Sequence, residues 1–337
     1  MPETLTPDAF RRRFALATFR DGGVVLDLAT GSYSQLNASG AAVLRAFFDL
    51  PDDSAVIAAI AEQFRVETSV AEGYLKSIVD ALLGEGLRYE PPDPFRYLPS
   101  TEGGYDVWHD ARLALHVAPD GRRLILRSAV ADLPLPLYDY VSGIAPKVLF
   151  LRGICVMHGS SCISDSALLG FCGKSRAGKT TTARTFARHG RRLVSEDLLL
   201  FAPDLTKPQV FVEGERLVNA WSREATAALA AGVGASTETE GLVAAASGER
   251  MPLAKIWFLD AARRGLDFIV RPLGPAEALP LVMANQFLGG SGDAGWRRHL
   301  ANSQAVANSV TAFALNLPDG LDQLDRAIGN YITKSAS

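Results

Sequence analysis

"LLGFCGKSRAGKTTTARTFARHGRRLVSEDLLLF", residues 168–201, decides how the larger part of the chain folds. Within it Gly173, Lys174, Ser175, Arg176, Ala177, Gly178, Lys179 and Thr180 fit G-x-x-x-x-G-K-[ST] at every fixed position, with Thr181 next in line. The apolar run "SALLGF" before them reads as a strand, and "TTTARTFARHG" after them as a helix that stops at Gly190. Strand, glycine turn and helix is the arrangement in which backbone N–H groups and the helix dipole converge on an anion. Gly173 and Gly178 permit the tight path, Lys179 reaches the β- and γ-phosphates, and Thr180 offers a hydroxyl to Mg²⁺. The expected ligands are therefore ATP, or another nucleoside triphosphate, and Mg²⁺.

The next strand, "RRLVSEDLLLF", delivers Glu196 and Asp197 at the strand end nearest the phosphates. One carboxylate there can hold the metal while the other accepts the proton of an attacking hydroxyl. Upstream, "FLRGICVMHGSSCISDSALLGF" places His158 in a hairpin that leads into the phosphate strand.

A chain of 337 residues, nearly half of them apolar, is long enough for two domains with their own cores. The net charge of -3 and the absence of a like-charge block argue against nucleic acid and anionic membrane as partners. Arg11, Arg12, Arg13, Arg191 and Arg192 read as solvated faces. Cys155, Cys162 and Cys172 lack metal or redox spacing and sit among apolar residues, as buried thiols of a reducing cytoplasm do. "MPETLTPDAFRRRF" has no apolar core of a signal peptide, and no run is long enough to span a membrane.

Four prolines in "YEPPDPFRYLPS", residues 89–100, mark a linker over 91–100 between a domain at 1–90 and another at 101–337. "ADLPLPLYDY" reads as a surface connection. Residues 225–248, rich in Ala and Gly, read as a flexible excursion or a loosely packed helix followed by a loop.

In the first ninety residues "FALATF" is a strand, and "VVLDL" and "SYSQL" form a hairpin whose turn uses Gly31. Asn37 caps a helix over 38–49, a second helix covers 54–64, and Thr68 or Ser69 opens a third that Gly84 and Gly86 stop. "LRYE" is a last strand. The pattern is winged-helix-like. A DNA reader of that shape needs a basic recognition helix, whereas the third helix carries Glu72, Asp80 and only Lys76.

"VVLDLATGSYSQLNASGAAVLRAF", "IAAIAEQF" and "IVDALLGEGL" resemble the PqqD family, the leader-recognition element of ribosomally made, modified peptide pathways. His158, the loop 173–180 and "HGRRLVSED" resemble HPr kinase/phosphorylase, a fold related to phosphoenolpyruvate carboxykinase. The expected class is thus α/β in two domains: an N-terminal winged-helix-like, PqqD-type α+β module and a C-terminal HPr-kinase-like P-loop domain. That likeness implies Asp197 as general base, Lys179 stabilising the transferring phosphoryl, Thr180, Glu196 and Asp197 at the metal, and His158 orienting the acids or the phosphate. Glu196 departs from the family's aspartate, Arg176 from its glycine, and no "PGRN"-like segment accompanies a dephosphorylating activity. Arg216 in "VEGERLVNAW" reads as a phosphate contact or a solubilising arginine, and "FLGGSGDAGWRRH" as a lid or a loop between helices.

Joined, the two resemblances imply a cytoplasmic kinase that phosphorylates a Ser/Thr hydroxyl of a precursor peptide, of the lasso type, bound through its leader. Alternatives are a serine kinase for a folded carrier protein, a nucleotide-switched delivery protein without catalysis, and a small-molecule kinase dimerised by its N-terminal module. Family likeness also implies assembly into homo-oligomers.

Overall fold

The computed structural model describes residues 7–50, 52–83, 87–88, 95–109, 112–164, 166–202, 204–244, 246–259, 267–288 and 293–335. Helix α1 (Pro7–Arg13) leads into β1 (Phe14–Phe19), β2 (Gly22–Asp27) and β3 (Ser32–Asn37), an antiparallel set in that order. Gly31 takes φ +72° in the turn before β3. Asn37 Oδ1 accepts the Gly40 N–H at 2.8 Å and starts α2 (Ala38–Asp49). Asp52 does the same for α3 (Asp53–Phe64) through the Ala55 N–H. Helix α4 (Thr68–Leu83) opens on the carbonyl of Glu67, so Thr68 lies inside the helix rather than before it. Strand β4 (Leu87–Arg88) then pairs with Ser32 and Tyr33 of β3. Phe10, Phe14, Val25, Leu44, Phe47 and Ile60 are the centre of the core under α2–α4. The expected stops at Gly84 and Gly86, the end of "LRYE" and the prolines at 91, 92 and 94 lie outside the described residues.

The described part of the expected linker is a strand. β5 (Phe95–Pro99) forms the edge of a five-stranded sheet with β6 (Tyr105–His109), β7 (Arg112–Val117) and β8 (Arg123–Leu126). An edge tolerates Pro99 because a residue there need not donate to a second neighbour. "ADLPLPLYDY" is not all surface: Leu137 and Tyr140 open α5 (Leu137–Leu151) and are buried. The hairpin of β9 (Val156–Ser164) and β10 (Ala167–Gly173) comes next, then α6 (Lys179–Arg188), β11 (Arg192–Ser195), β12 (Leu198–Leu200) and β13 (Gln209–Phe211). The described residues of 225–248 include the end of α7 (Gly214–Leu229), β14 (Ser236–Glu238), which closes the five-stranded sheet on β8, and α8 (Glu240–Ala244).

The chain ends with β15 (Arg250–Leu259), β16 (Ile269–Leu273), α9 (Pro275–Asn285), α10 (Asp293–Ser309), β17 (Thr311–Asn316) and α11 (Leu321–Ser335). The large sheet runs β11–β9–β10–β15–β17–β16, with β12 also on β9 and β13 on β15. β10, β15 and β17 are parallel. Phe171, Phe186, Trp257, Leu315 and Ile328 join α6 and α11 to this sheet, and a second cluster around Tyr140, Ile144, Trp221 and Leu200 joins α5 and α7 to it and to the smaller sheet. Among the described residues no helix is long and apolar enough to cross a membrane.

Contacts divide the chain into two compact units. The front unit comprises Met1–Pro91, Gly274–Ala284 and Gly292–Gln304, and the second unit the remainder. The front unit therefore takes in residues that a division at 90 and 101 leaves to the second domain. Strand β2 shows why. A Cβ on Gly23 would face Ala41 of α2, whereas one on Gly22 would face Ala276 of α9. Side chains alternate along a strand, so Val25 belongs to the α2 side and Val24 and Leu26, both fully buried, to the α9 side. Gln35 Nε2 donates to Ala276 O at 3.1 Å, and Trp296 of α10 lies against Gly31. Trp296 is thus a packing residue of a helix. Of the candidate lid, residues 289–292 lie outside the described set.

Candidate active site

β10 ends at Gly173 and the chain turns through 174–178 into α6. Gly173 and Gly178 adopt φ +147° and +100°, and a Cβ on Gly173 would lie 2.7 Å from the Leu259 carbonyl. Arg176 also takes a left-handed φ, +63°. Lys174, Ser175 and Arg176 are exposed, Ala177 is buried, and Thr181 is exposed on the first turn of α6. Lys179 is buried to 6 % exposure, and its Nζ donates across the loop to Gly173 O at 3.0 Å and Lys174 O at 3.2 Å. Burial lowers its pKa against the attraction of Asp197. Thr180 Oγ1 donates to Glu196 O at 3.0 Å, which leaves the hydroxyl lone pairs for a cation. Ser160 Oγ donates to the same carbonyl at 2.6 Å.

Strand direction brings the remaining groups to this loop. β9 runs antiparallel between β10 and β11, pairing Gly159 with Cys172 and Ser161 with Ser195. The start of β9, with His158, thus meets the ends of β10 and β11. The ladder along β9 resumes with Leu198 opposite His158. Glu196 and Asp197 therefore follow the end of β11 directly, in a two-residue break between strands that keep one register along β9; the register shift lies earlier, between Leu193 and Ser195. Asp197 O accepts the Gly159 N–H at 2.9 Å, and His158 Nε2 stands 3.5 Å from Asp197 Oδ1. Burial holds the His158 pKa down, opposed by Asp197. The Asp197 side chain is 63 % exposed.

Glu196 is placed differently. Its two oxygens take Arg184 Nε and Nη2 of α6, each at 2.8 Å, so the carboxylate expected at a metal is engaged by the helix instead. Arg216 is paired with Glu213 one turn away. Cys162 and Cys172 are pushed up to about 12 by burial, and Cys155 is raised for the same reason, as befits inert core thiols.

Two neighbours of the site carry no mark in the sequence. Glu215, in the first turn of α7, accepts the N–H of Glu196 at 2.7 Å and of Asp197 at 2.9 Å. Asn285 Oδ1, at the end of α9, accepts the Gly173 N–H at 2.8 Å, and Phe287 follows with its ring 6.1 Å from that of His158. "VEGER" looks like any acidic helix start, and "MANQF" like any helix end.

Residues 22–87 match the family described as Coenzyme PQQ synthesis protein D (PqqD). No curated protein matches the chain in sequence. Among solved structures, the Hpr(Ser) kinase/phosphatase from Coxiella burnetii is 10 % identical over 54 % of this chain and 99 % of that one, with a TM-score of 0.24, an overlay too loose to assign the fold. The chain is thus similar to PqqD across β2–β4, and it couples that module to a mixed α/β unit built around a glycine-rich turn between strand and helix.

Proposed function

We propose that the chain is an ATP- and Mg²⁺-dependent phosphotransferase that phosphorylates a serine or threonine hydroxyl of a ribosomally made precursor peptide. One observation carries the reading: Lys179, Thr180, His158 and Asp197 converge at one end of the large sheet, with His158 Nε2 3.5 Å from Asp197 Oδ1. The amides of 173–178 and Lys179 would hold the triphosphate, and Thr180 and Asp197 the metal, which neutralises charge on the phosphates when bound. Glu196 would join them only on release from Arg184. Asp197, exposed, takes the proton of the acceptor hydroxyl as the new O–P bond forms and the bond to ADP breaks. His158, kept neutral by burial, steadies the Asp197 carboxylate.

PqqD domains bind precursor peptides, and the front unit offers the surface for it. Among the described residues β4 covers only Ser32 and Tyr33 of β3, so an extended leader can add beyond them as a strand. Val70 and Tyr74, one turn apart on α4 and 41 % and 44 % exposed, offer side-chain contacts beside it. A tethered leader raises the local concentration of the acceptor to roughly millimolar.

The test is mass spectrometry of peptides from neighbouring reading frames after incubation with the full chain, ATP and Mg²⁺. One added phosphate, lost with Asp197→Asn and slowed with Tyr74→Ala, supports the reading. An unmodified peptide together with no ADP formed at all rejects it.

A further inference from the structure

We infer that Glu215 is a positioning residue that clamps the backbone of the acidic turn and so aims the Asp197 carboxylate. The inference rests on the phosphotransferase reading.

The acids lie where the ladder along β9 is interrupted. A break in the ladder deprives backbone donors of their partners, and a donor left unpaired costs free energy. Here the two donors are the N–H groups of Glu196 and Asp197, and one carboxylate takes both: Glu215 Oε2 at 2.7 Å and Oε1 at 2.9 Å. The carbonyls of the same residues are also held. Ser160 and Thr180 donate to Glu196 O, and the Gly159 N–H to Asp197 O. Arg184 holds the Glu196 carboxylate. With the turn fixed on every side, the exposed group it presents is the Asp197 carboxylate.

The start of α7 is shaped to bring Glu215 in. A Cβ on Gly214 would lie 3.1 Å from Leu200 Cβ and 3.3 Å from Phe211 Cβ, so the missing side chain lets the helix start approach β12 closely. The choice of an acid runs against local electrostatics. Burial, then the charges of Asp197 and Glu196, push the Glu215 pKa up while the two amides pull it down. A glutamine would avoid the repulsion, but its amide has one acceptor and would turn N–H against N–H at the other donor. Two adjacent donors call for the two oxygens of a carboxylate. The dipole of α7 favours an acid in its first turn, but that alone does not direct both oxygens to residues 196 and 197.

The experiment compares the full chain with Glu215→Gln and Glu215→Ala in two assays: amide hydrogen exchange at 196 and 197 without nucleotide, and Mg²⁺-ATP hydrolysis with water as acceptor. Exchange at those two amides is expected to rise, with KM for ATP unchanged. kcat is expected to fall about 100-fold in Glu215→Ala and by less in Glu215→Gln, since a displacement of order 1 Å at a reacting group costs about that much. Unchanged exchange in a folded Glu215→Gln chain overturns the inference, and so does raised exchange with unchanged kcat. If Glu215→Ala does not fold, Glu215→Gln decides. A wild-type chain with protected amides that neither binds nor turns over ATP rejects the phosphotransferase reading itself, and the role of Glu215 goes with it.

Discussion

The glycine-rich loop and the acids beside it come from one run of chain, residues 168–197, whereas the small N-terminal sheet is closed by a helix 241 residues away, the separation spanned by the Gln35–Ala276 hydrogen bond. In the first region proximity follows from strand direction: β10, α6 and β11 return the chain to the same end of the sheet, and β9 fills the gap between. In the second it does not. Three helices on one side of β1–β3 would leave Val24 and Leu26 facing water, and α9 and α10 bury them. A module can therefore be continuous as a sequence pattern and still depend on distant segments for its fold. Cutting at residue 91 would uncover Val24 and Leu26, and with them part of Ala276, so truncation cannot separate the proposed peptide recognition from the proposed chemistry. Point substitutions can.

The largest separation is expected from Asp197→Asn. Removing the proposed general base is expected to lower turnover by about 10²–10⁴-fold. Leader affinity, measured by titrating a labelled peptide, and thermal stability stay as in wild type, because Asp197 is exposed. A parallel loss of leader affinity would show that the two regions do not divide the work as drawn here.

Leu26→Ala tests the other side of the comparison. A fully buried leucine costs about 2–5 kcal/mol on truncation to alanine. On an open sheet face the same change would stay within about 0.5 kcal/mol. Urea unfolding distinguishes the two, and the smaller value would mean that α9 and α10 do not close the front unit.

Acid sharpens the contrast further. His299, on α10, is fully buried, and burial pulls its pKa down to about 4 despite a hydrogen bond with the Met283 backbone. The unfolded chain takes up a proton near the ordinary value of 6.5 and the folded front unit does not, so stability is lost as pH falls from about 6.5 to about 4. At 1.36 kcal/mol per unit the loss approaches about 3 kcal/mol. His299→Gln should flatten that part of the pH profile in denaturant titrations. An identical slope in the variant would assign acid sensitivity to other groups.

What the sequence shows of this molecule is what local physics determines. The left-handed Gly31, the Asn37 cap, the hairpin of β9 and β10 and the loop from Gly173 to Thr180 each depend on residues close in the chain, and each is visible there. Glu215 and Asn285 are not, because a side-chain acceptor is matched to a backbone donor only after two elements pack. The same holds for Glu196, whose spacing suits a metal until Arg184 is seen opposite it. The Pro-rich run misleads for a related reason: proline excludes a central strand, and β5 is an edge.

The smallest expected effect lies at Arg176, where sequence and backbone pull against each other. A non-glycine residue at φ +63° costs about 1 kcal/mol relative to glycine, while glycine itself loses more freedom on folding, which offsets part of the gain. Arg176→Gly should therefore raise stability by less than about 1 kcal/mol, a shift of a few degrees in the melting temperature. Nucleotide affinity is the second reading. The loop amides that would grip phosphate are unchanged by the substitution, so affinity for Mg²⁺-ATP should hold if the guanidinium takes no part. Lower stability with intact affinity would mean that the arginine side chain contributes more to the folded loop than its backbone strain removes. Lower affinity with higher stability would mean that the guanidinium takes part in holding the ligand, and that strain at 176 is kept for it.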